Sequence, residues 1–422
     1  MLLERRQLTE PGSLVREIRA LTPAAPSVSD AVAEIIAAVA AEGDVAVRRY
    51  TARFDADPPP PQRVAGEEPG LALATLDPAV RAGLEVAIAN VAELAWAAAG
   101  ADREVTLAQG HSVLLRDVAV ARAAIYVPGG SAPYPSTVVM GAVTARSAGV
   151  TDVVIATPPP IDPVTLAACE LIGIGEIHCM GGAQAIAALA YGTESVEAVD
   201  VIVGPGNLYV QEAKRQLSAM VGIDGFAGPS ELIVVFDAPD AGSIRLVAHD
   251  LLAQAEHGAA SIVVAVAPEA PLLDALEADL RALWAGQPAP FVLVEAATLE
   301  HALEFSDRFA PEHLELIGPG AEALAPRVRS AGCVFVGWPS ATAFGDYVAG
   351  SNHILPTGGS ARFASALGPS NFCRRMAEVR IAHGALEELI RAGAPIARAE
   401  GFTAHADSMR ARVPDIVENP SQ

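Results

Sequence analysis

"AAIYVPGGSAPYPST", residues 123 to 137, decides the fold. Its first five residues are apolar, too few for a helix, and a Pro-Gly-Gly turn cuts them off. They read as a short buried strand that runs out into a glycine loop. The same rhythm then repeats downstream. "VVMGAVTARSAGV" (138–150) is helical, "DVVIAT" (152–157) is a strand, and "PPPIDP" (158–163) is a breaker. A helix over 163–172, the strand "EIHCMG" (176–181), the helix "GAQAIAALAYG" (182–192) and the strand-then-loop "AVDVIVGPGN" (198–207) follow. Strands alternating with helices at this spacing predict an α/β fold with a doubly wound parallel sheet. Ligands of such sheets sit at the carboxyl ends of the strands. The glycine loops 128–131, 181–182 and 204–206 all fall there.

A second set lies downstream. "LIVVFD", "SIVVAVA", "PFVLVEA" and "GCVFVG" read as strands, and 244–258, 270–286 and 299–309 as helices. Upstream, 27–53 reads as helix, turn, helix, and a long helix covers about 75 to 100. From about 376 the chain looks helical and without a strand. The expected domains are 1–120 with 230–375, then 121–229, then a tail over 376–422. At 422 residues more than one domain is expected on size alone.

Composition excludes several classes. The net charge is -22, and Lys214 is the only lysine. Such a chain repels phosphate backbones, so no nucleic-acid partner is expected. The charge serves either solubility or attraction of a small cation. Cys169, Cys179, Cys333 and Cys373 form no C-x-x-C pair and sit in or beside apolar stretches, which speaks against a disulfide framework or a thiolate metal site. No apolar run is long enough for a signal peptide or a bilayer span, so a cytoplasmic protein is expected.

The chemistry-bearing residues are scattered. No glycine loop matches G-x-G-x-x-G, and "GIGEI" (173–177) is too short, so turn and cofactor readings both stay open. "HDLLAQAEHG" (249–258) puts Gln254 and His257 three apart on an expected helix, one face and a candidate metal pair, with His249 further back. The plain reading is a solvated helix end. "FGDYVAGSNHILPTGG" (344–359) carries Asp346 and His353 in what reads as an irregular loop. "EGFTAHADS" (400–408) adds Glu400 and His405. "RFAPEHLEL" (308–316) sets Glu312 beside His313, an acid and a base at an expected loop-to-helix junction. This pool of His, Gln, Asp and Glu suits a borderline cation such as zinc.

Eight motifs now stand in order: "YVPGGSAPYPSTVVM", "GGAQAIAALAYGT", "VGPGNLYVQEAKR", "GIDGFAGPSE", "LLAQAEHG", "APEHLEL", "FGDYVAGSNHILPT" and "EGFTAHA". Together they resemble the histidinol dehydrogenase family over nearly the whole chain. The resemblance implies two incomplete Rossmann-like domains and a helical C-terminal tail that takes part in dimerisation. It implies oxidation of L-histidinol through the aldehyde to L-histidine, with two NAD reduced in turn and one zinc per subunit. Carried over by motif, the zinc ligands are Gln254, His257, Asp346 and His405, the last reaching the site of the other subunit of a homodimer. Glu312 and His313 become the acid–base pair. Ser230, His353 and Glu400 match substrate-contacting positions, and the zinc ligands and His313 also face the substrate. Tyr126, Gln184 and Asn207 match positions that contact NAD. Ala124 and Val201 depart from the family's frequent glycine and lysine, at positions without a chemical role.

In that mechanism His313 takes the alcohol proton and Glu312 activates the water that hydrates the aldehyde. Two other readings compete on residues alone: a zinc hydrolase in which Glu312 activates metal-bound water, and a non-catalytic protein closing two lobes on a small cation. The first leaves the glycine-edged α/β units unused. The second needs no paired acid and base.

Overall fold

A computed structural model describes residues 2–22, 27–129, 132–237 and 241–413. The chain divides into two compact units. One is Met1–Ala99 with Val120–Phe372, the other Gly100–Ala119 with Cys373–Gln422.

The first unit holds two parallel sheets. In one, Arg122–Tyr126 lies between Asp152–Thr157 and Val201–Val203, with Ile177–Cys179 and Gly222–Ile223 at the edges. Numbered along the chain, that order is 3-2-1-4-5, the doubly wound pattern. In the other, Glu231–Phe236 lies between Ile262–Ala267 and His313–Ile317, with Phe291–Glu295 and Cys333–Val336 beyond them. The order is again 3-2-1-4-5. The N-terminal strand Leu3–Gln7 adds to the edge beside Phe291–Glu295.

Alternation builds the layers of the second sheet. Leu232, Val234 and Phe236 face one way, against Leu251 and Leu276 of the helices Ala241–Ala255 and Ala270–Leu283. Ile233 and Val235 face the other, against Ile18 and Phe305 of the helices Pro11–Arg19 and Leu299–Phe309. In the first sheet Ala124, Tyr126 and Ile202 pack on the helices Ser29–Glu42, Gly182–Tyr191 and Leu208–Leu217.

Several expectations differ from this. The tail does contain a strand: Cys373–Arg380 pairs antiparallel with Ser112–Ala119, which also pairs with Arg103–Thr106. The segment "CRRMAEVR" is mostly exposed and lacks an apolar face, so no hydrophobic period marks it. Residues 103–119 therefore join the second unit rather than an α/β domain. Leu3–Gln7, a charged edge strand, carries no period for the same reason. His313 opens a strand, His313–Ile317, not a helix. Five residues buried on both faces carry no period at all. Asp346 sits on a short helix, Thr342–Tyr347, rather than in an irregular loop.

Candidate active site

Glu312 and His313 stand at the amino edge of the second sheet, at the start of His313–Ile317. The neighbouring strand begins with Glu231, preceded by Ser230. This is the point where the strand order reverses, but at the opposite end from the usual ligand edge. Glu312 is 8% exposed and His313 3%. Glu312 Oε2 accepts from Ser230 Oγ (2.6 Å) and from the Glu231 N–H (2.9 Å). His313 Nδ1 lies 3.1 Å from the Glu231 carbonyl. A carbonyl only accepts, so Nδ1 carries the proton and Nε2 of the neutral ring keeps its lone pair. That Nε2 is 3.9 Å from Asp346 Oδ1.

Burial pushes the Glu312 carboxyl up to about 7, against the pull of its two hydrogen bonds and of His257. Burial also holds His313 below the ordinary imidazole value, with Asp346 opposing. Asp346 itself is raised to about 6 by burial. The result is an uncharged imidazole beside a carboxyl poised to titrate near neutrality.

The ligand candidates of the first unit gather on the same spot. Gln254 Nε2 donates to Ser230 Oγ at 2.6 Å, so its carbonyl oxygen is the atom left to offer a cation. His257 lies just past the end of the helix Ala241–Ala255, with its N–H on the Gln254 carbonyl (3.3 Å). It lies near enough to Glu312, His313 and His353 to bear on all three. His249 faces solvent on that helix. His353 holds the Asp346 carbonyl with Nδ1 (2.9 Å) and meets Thr137 Oγ1 with Nε2 (3.3 Å), bridging the short helices Thr342–Tyr347 and Pro135–Val138. Burial takes it down to about 4, so it stays neutral.

Three residues that bear on the site do not stand out in the sequence. Glu231, 1% exposed, orients both members of the pair through its backbone. Its side chain is held by Arg19 Nη1 (2.7 Å) and the Gly358 N–H (3.1 Å). Glu315, two residues after His313, accepts from the N–H (2.8 Å) and hydroxyl (2.5 Å) of Thr342, at the start of the Asp346 helix. Its other oxygen is buried and faces the Asp250 carboxyl. Two carboxyls bond only when one keeps its proton, and burial raises both. Asp250 is one helical turn before Gln254. The cluster thus ties together the elements carrying Gln254, His313 and Asp346. One signal does exist in the chain: a carboxylate inside a buried strand needs a partner.

Glu400 and His405 belong to the second unit. Both are exposed, at the end of the helix Leu386–Ala399 and on the helix Thr403–Arg410, and the Phe402 and His405 rings lie 5.2 Å apart. Among the described residues no three His, Cys, Asp or Glu side chains gather as a metal cluster. Gln254, His257 and Asp346 offer one amide, one imidazole and one carboxylate. Those donors suit a borderline cation, and a four-coordinate site needs one more.

The expected cofactor residues line a different cavity, of about 350 Å³, at the carboxyl edge of the first sheet. Tyr126, Gln184 and Asn207 all reach it. Tyr126 Oη accepts from the Gly182 N–H (3.1 Å), and Gln184 Nε2 donates to Asp55 Oδ2 (3.3 Å). Asp55, raised to about 6 by burial, is a further polar group there that no sequence pattern marks. Gly129 is one wall; Gly130 and Ser131 of the same loop lie outside the described residues. At the carboxyl edge of the second sheet Asp237 accepts from the N–H groups of Gly320 (2.9 Å) and Ala321 (3.1 Å), so the chain's own carboxylate takes the place a phosphate would occupy.

The histidinol dehydrogenase family model matches residues 20–413. The chain belongs to the histidinol dehydrogenase family. It is 42% identical over 406 residues to the histidinol dehydrogenase of Cereibacter sphaeroides, covering 92% of each chain. It is 43% identical over 397 residues to that of Mesorhizobium japonicum, covering 90% of this chain and 92% of that one. The crystal structure of histidinol dehydrogenase from Elizabethkingia anophelis matches with a TM-score of 0.91 at 29% identity, over 99% of this chain and 98% of that one. Histidinol dehydrogenase membership makes the chain an oxidoreductase of histidine biosynthesis, and sets aside the hydrolase and the non-catalytic binder. A dehydrogenase of this kind works with a nicotinamide cofactor. Among the described residues no helix is long and apolar enough to cross a membrane.

One pH effect follows from the buried acid. Glu312 holds its proton to about 7 when folded and loses it near 4.5 when unfolded. The folded state then binds more protons across that window, so this group's contribution to stability falls as pH rises through it. His353 acts in the opposite sense between about 4 and 6.5. Glu312→Gln removes only the first effect. Denaturant unfolding of metal-free protein should show the variant gaining on wild type between about pH 5 and pH 8, by at most about 3 kcal/mol. A gap that does not widen contradicts the buried, neutral carboxyl.

Proposed function

We propose that this chain oxidises L-histidinol to L-histidinaldehyde and then to L-histidine, with two NAD reduced per substrate and one zinc ion per subunit of a homodimer. The observation that carries the reading is the pair itself: a neutral His313 with Nε2 free to accept, beside a Glu312 carboxyl tuned near neutrality.

Gln254, His257 and Asp346 would hold zinc, joined by His405 from the other subunit. Zinc would supply a Lewis acid for orienting the amino alcohol. Tyr126, Gln184 and Asn207 would hold NAD, which would supply the hydride acceptor. The chain's residues handle the protons. His313 Nε2 accepts the hydroxyl proton as the carbinol C–H pair leaves. The aldehyde must then be hydrated, because only the gem-diol readily yields a second hydride. Glu312, ionised, removes a proton from the attacking water, and His313 serves again as the diol is oxidised. Ser230 and the Glu231 N–H hold the carboxylate in place for that step. Ser230, His353 and Glu400 are assigned to substrate contact by motif.

The dimer reading is supported by exposed apolar side chains on the Asp346 helix: Phe344 is 54% exposed and Tyr347 60%. The absence of nucleic-acid partners goes with the charge of -22, and the enzyme is assigned to the cytoplasm as the default for a biosynthetic enzyme.

The test is one assay. Purified protein with L-histidinol and NAD should yield two reduced cofactors per histidinol consumed. A strong chelator should abolish turnover and added zinc restore it. Full activity after complete metal removal would overturn the zinc assignment. One reduced cofactor per substrate would overturn the second oxidation.

A further inference from the structure

The only lysine of this acidic chain is not on its surface. Lys214 is 1% exposed. Its Nζ donates to the Gly204 carbonyl (2.6 Å) and to Asp224 Oδ1 (2.5 Å). The second Asp224 oxygen accepts from the Gly204 N–H at 2.7 Å. One residue, Gly204, is therefore gripped at both its backbone groups by a single ion pair. The helix that carries Lys214, Leu208–Leu217, is capped by Asn207 Oδ1 on the N–H groups of Tyr209 (3.0 Å) and Val210 (3.2 Å). Asp224 follows Gly222–Ile223, the strand beside Val201–Val203.

The gripped loop has no slack. Gly204 has φ +117°, and a Cβ there would meet the Tyr126 carbonyl oxygen at 2.1 Å. The loop is thus pressed against the strand end bearing Tyr126 on one side and held by the ion pair on the other. Two and three residues on, Gly206 and Asn207 form a wall of the 350 Å³ cavity, and Tyr126 forms another. From the same helix Gln211 braces the rest of the loop, with Nε2 on the Gly206 carbonyl (3.4 Å) and Oε1 on the Ala227 N–H (2.8 Å).

We propose that Lys214 and Asp224 are positioning residues for the nicotinamide cofactor, setting the Gly204–Asn207 loop at the spacing from Tyr126 that the bound cofactor needs. The inference rests on the cavity being the NAD site. A compact ammonium on a flexible stem suits the task, because it can serve a carbonyl and a carboxylate at once where a planar guanidinium would not fit the same space. A displaced wall weakens cofactor binding without touching the proton-transfer groups, which lie on the other sheet.

The experiment compares wild type, Lys214→Met, the double variant Lys214→Met/Asp224→Leu, and Asn207→Ala. Steady-state kinetics would be read together with fluorescence titration of NADH in the absence of histidinol, and with thermal melting. Lys214→Met leaves a buried carboxylate without its cation and should lower the melting temperature. The double variant removes both charges and should recover most of it. Both should raise KM for NAD and the NADH dissociation constant about tenfold or more, with kcat within about twofold and KM for histidinol unchanged. A double variant with wild-type NADH affinity would make the pair purely structural and overturn the proposal. If Asn207→Ala also leaves NADH affinity at the wild-type value, the cavity itself is misassigned and the reading beneath the proposal falls with it.

Discussion

Replacing His313 with glutamine lowers turnover of both histidinol and histidinaldehyde, by about two to four orders of magnitude. Glutamine is close in size and can keep a donor toward the Glu231 carbonyl, which His313 Nδ1 now meets at 3.1 Å. What it lacks is a basic lone pair where Nε2 stands. Both oxidations shed a hydroxyl proton from the same carbon, so both should fail together. Binding should suffer less, because the cation-binding candidates Gln254, His257 and Asp346 are untouched. Transient kinetics with each substrate would measure the two steps separately. Loss confined to one step would remove His313 from its role as the shared base. The variant also tests the dimer: mixed with His405→Asn, and allowed to exchange subunits, it should regain part of the activity if each site draws His405 from the other chain. No recovery in exchanged dimers would contradict the shared site.

The second large effect separates the two chemistries. Glu312→Gln should depress aldehyde oxidation by about 10²-fold or more, and alcohol oxidation far less. Only the second step needs water to be activated. The substitution is gentle on the fold: an amide oxygen can still accept from Ser230 and the Glu231 N–H, at the positions where Glu312 Oε2 now accepts at 2.6 and 2.9 Å. The signature is accumulation or release of histidinaldehyde, trapped with a carbonyl reagent, and a drop toward one reduced cofactor per histidinol. Equal loss in both half-reactions would contradict the division of labour.

Much of the fold is legible in the chain itself. The helices 163–172 and 182–191 and the strands around 123, 152 and 231 are marked by hydrophobic period and by their Gly and Pro stops. Elements without period are not. His313–Ile317 is five residues buried on both faces, and Cys373–Arg380 is mostly exposed. Each depends on a partner strand rather than on its own pattern. Gln254, His257 and Asp346 stand out as chemistry-bearing types and are named as ligands by motif. Asp250 and Asp55 do not, because nothing in their neighbours along the chain shows their burial; Glu315 is marked only by lying between the leucines of an apolar run.

The sequence by itself determined the family, most of the alternating strands and helices of the two parallel sheets, and the side chains named by motif, because period, turn residues and side-chain type are local properties. Only the tertiary structure decided that the acid–base pair stands at the amino edge of the second sheet, that Asp237 closes the opposite edge, and which nitrogen of His313 holds the proton. Those follow from hydrogen bonds such as Ser230–Glu312 and Glu231–His313, between residues 82 apart. Such contacts exist only once parallel strands have paired in register, and no window of neighbouring residues contains both partners.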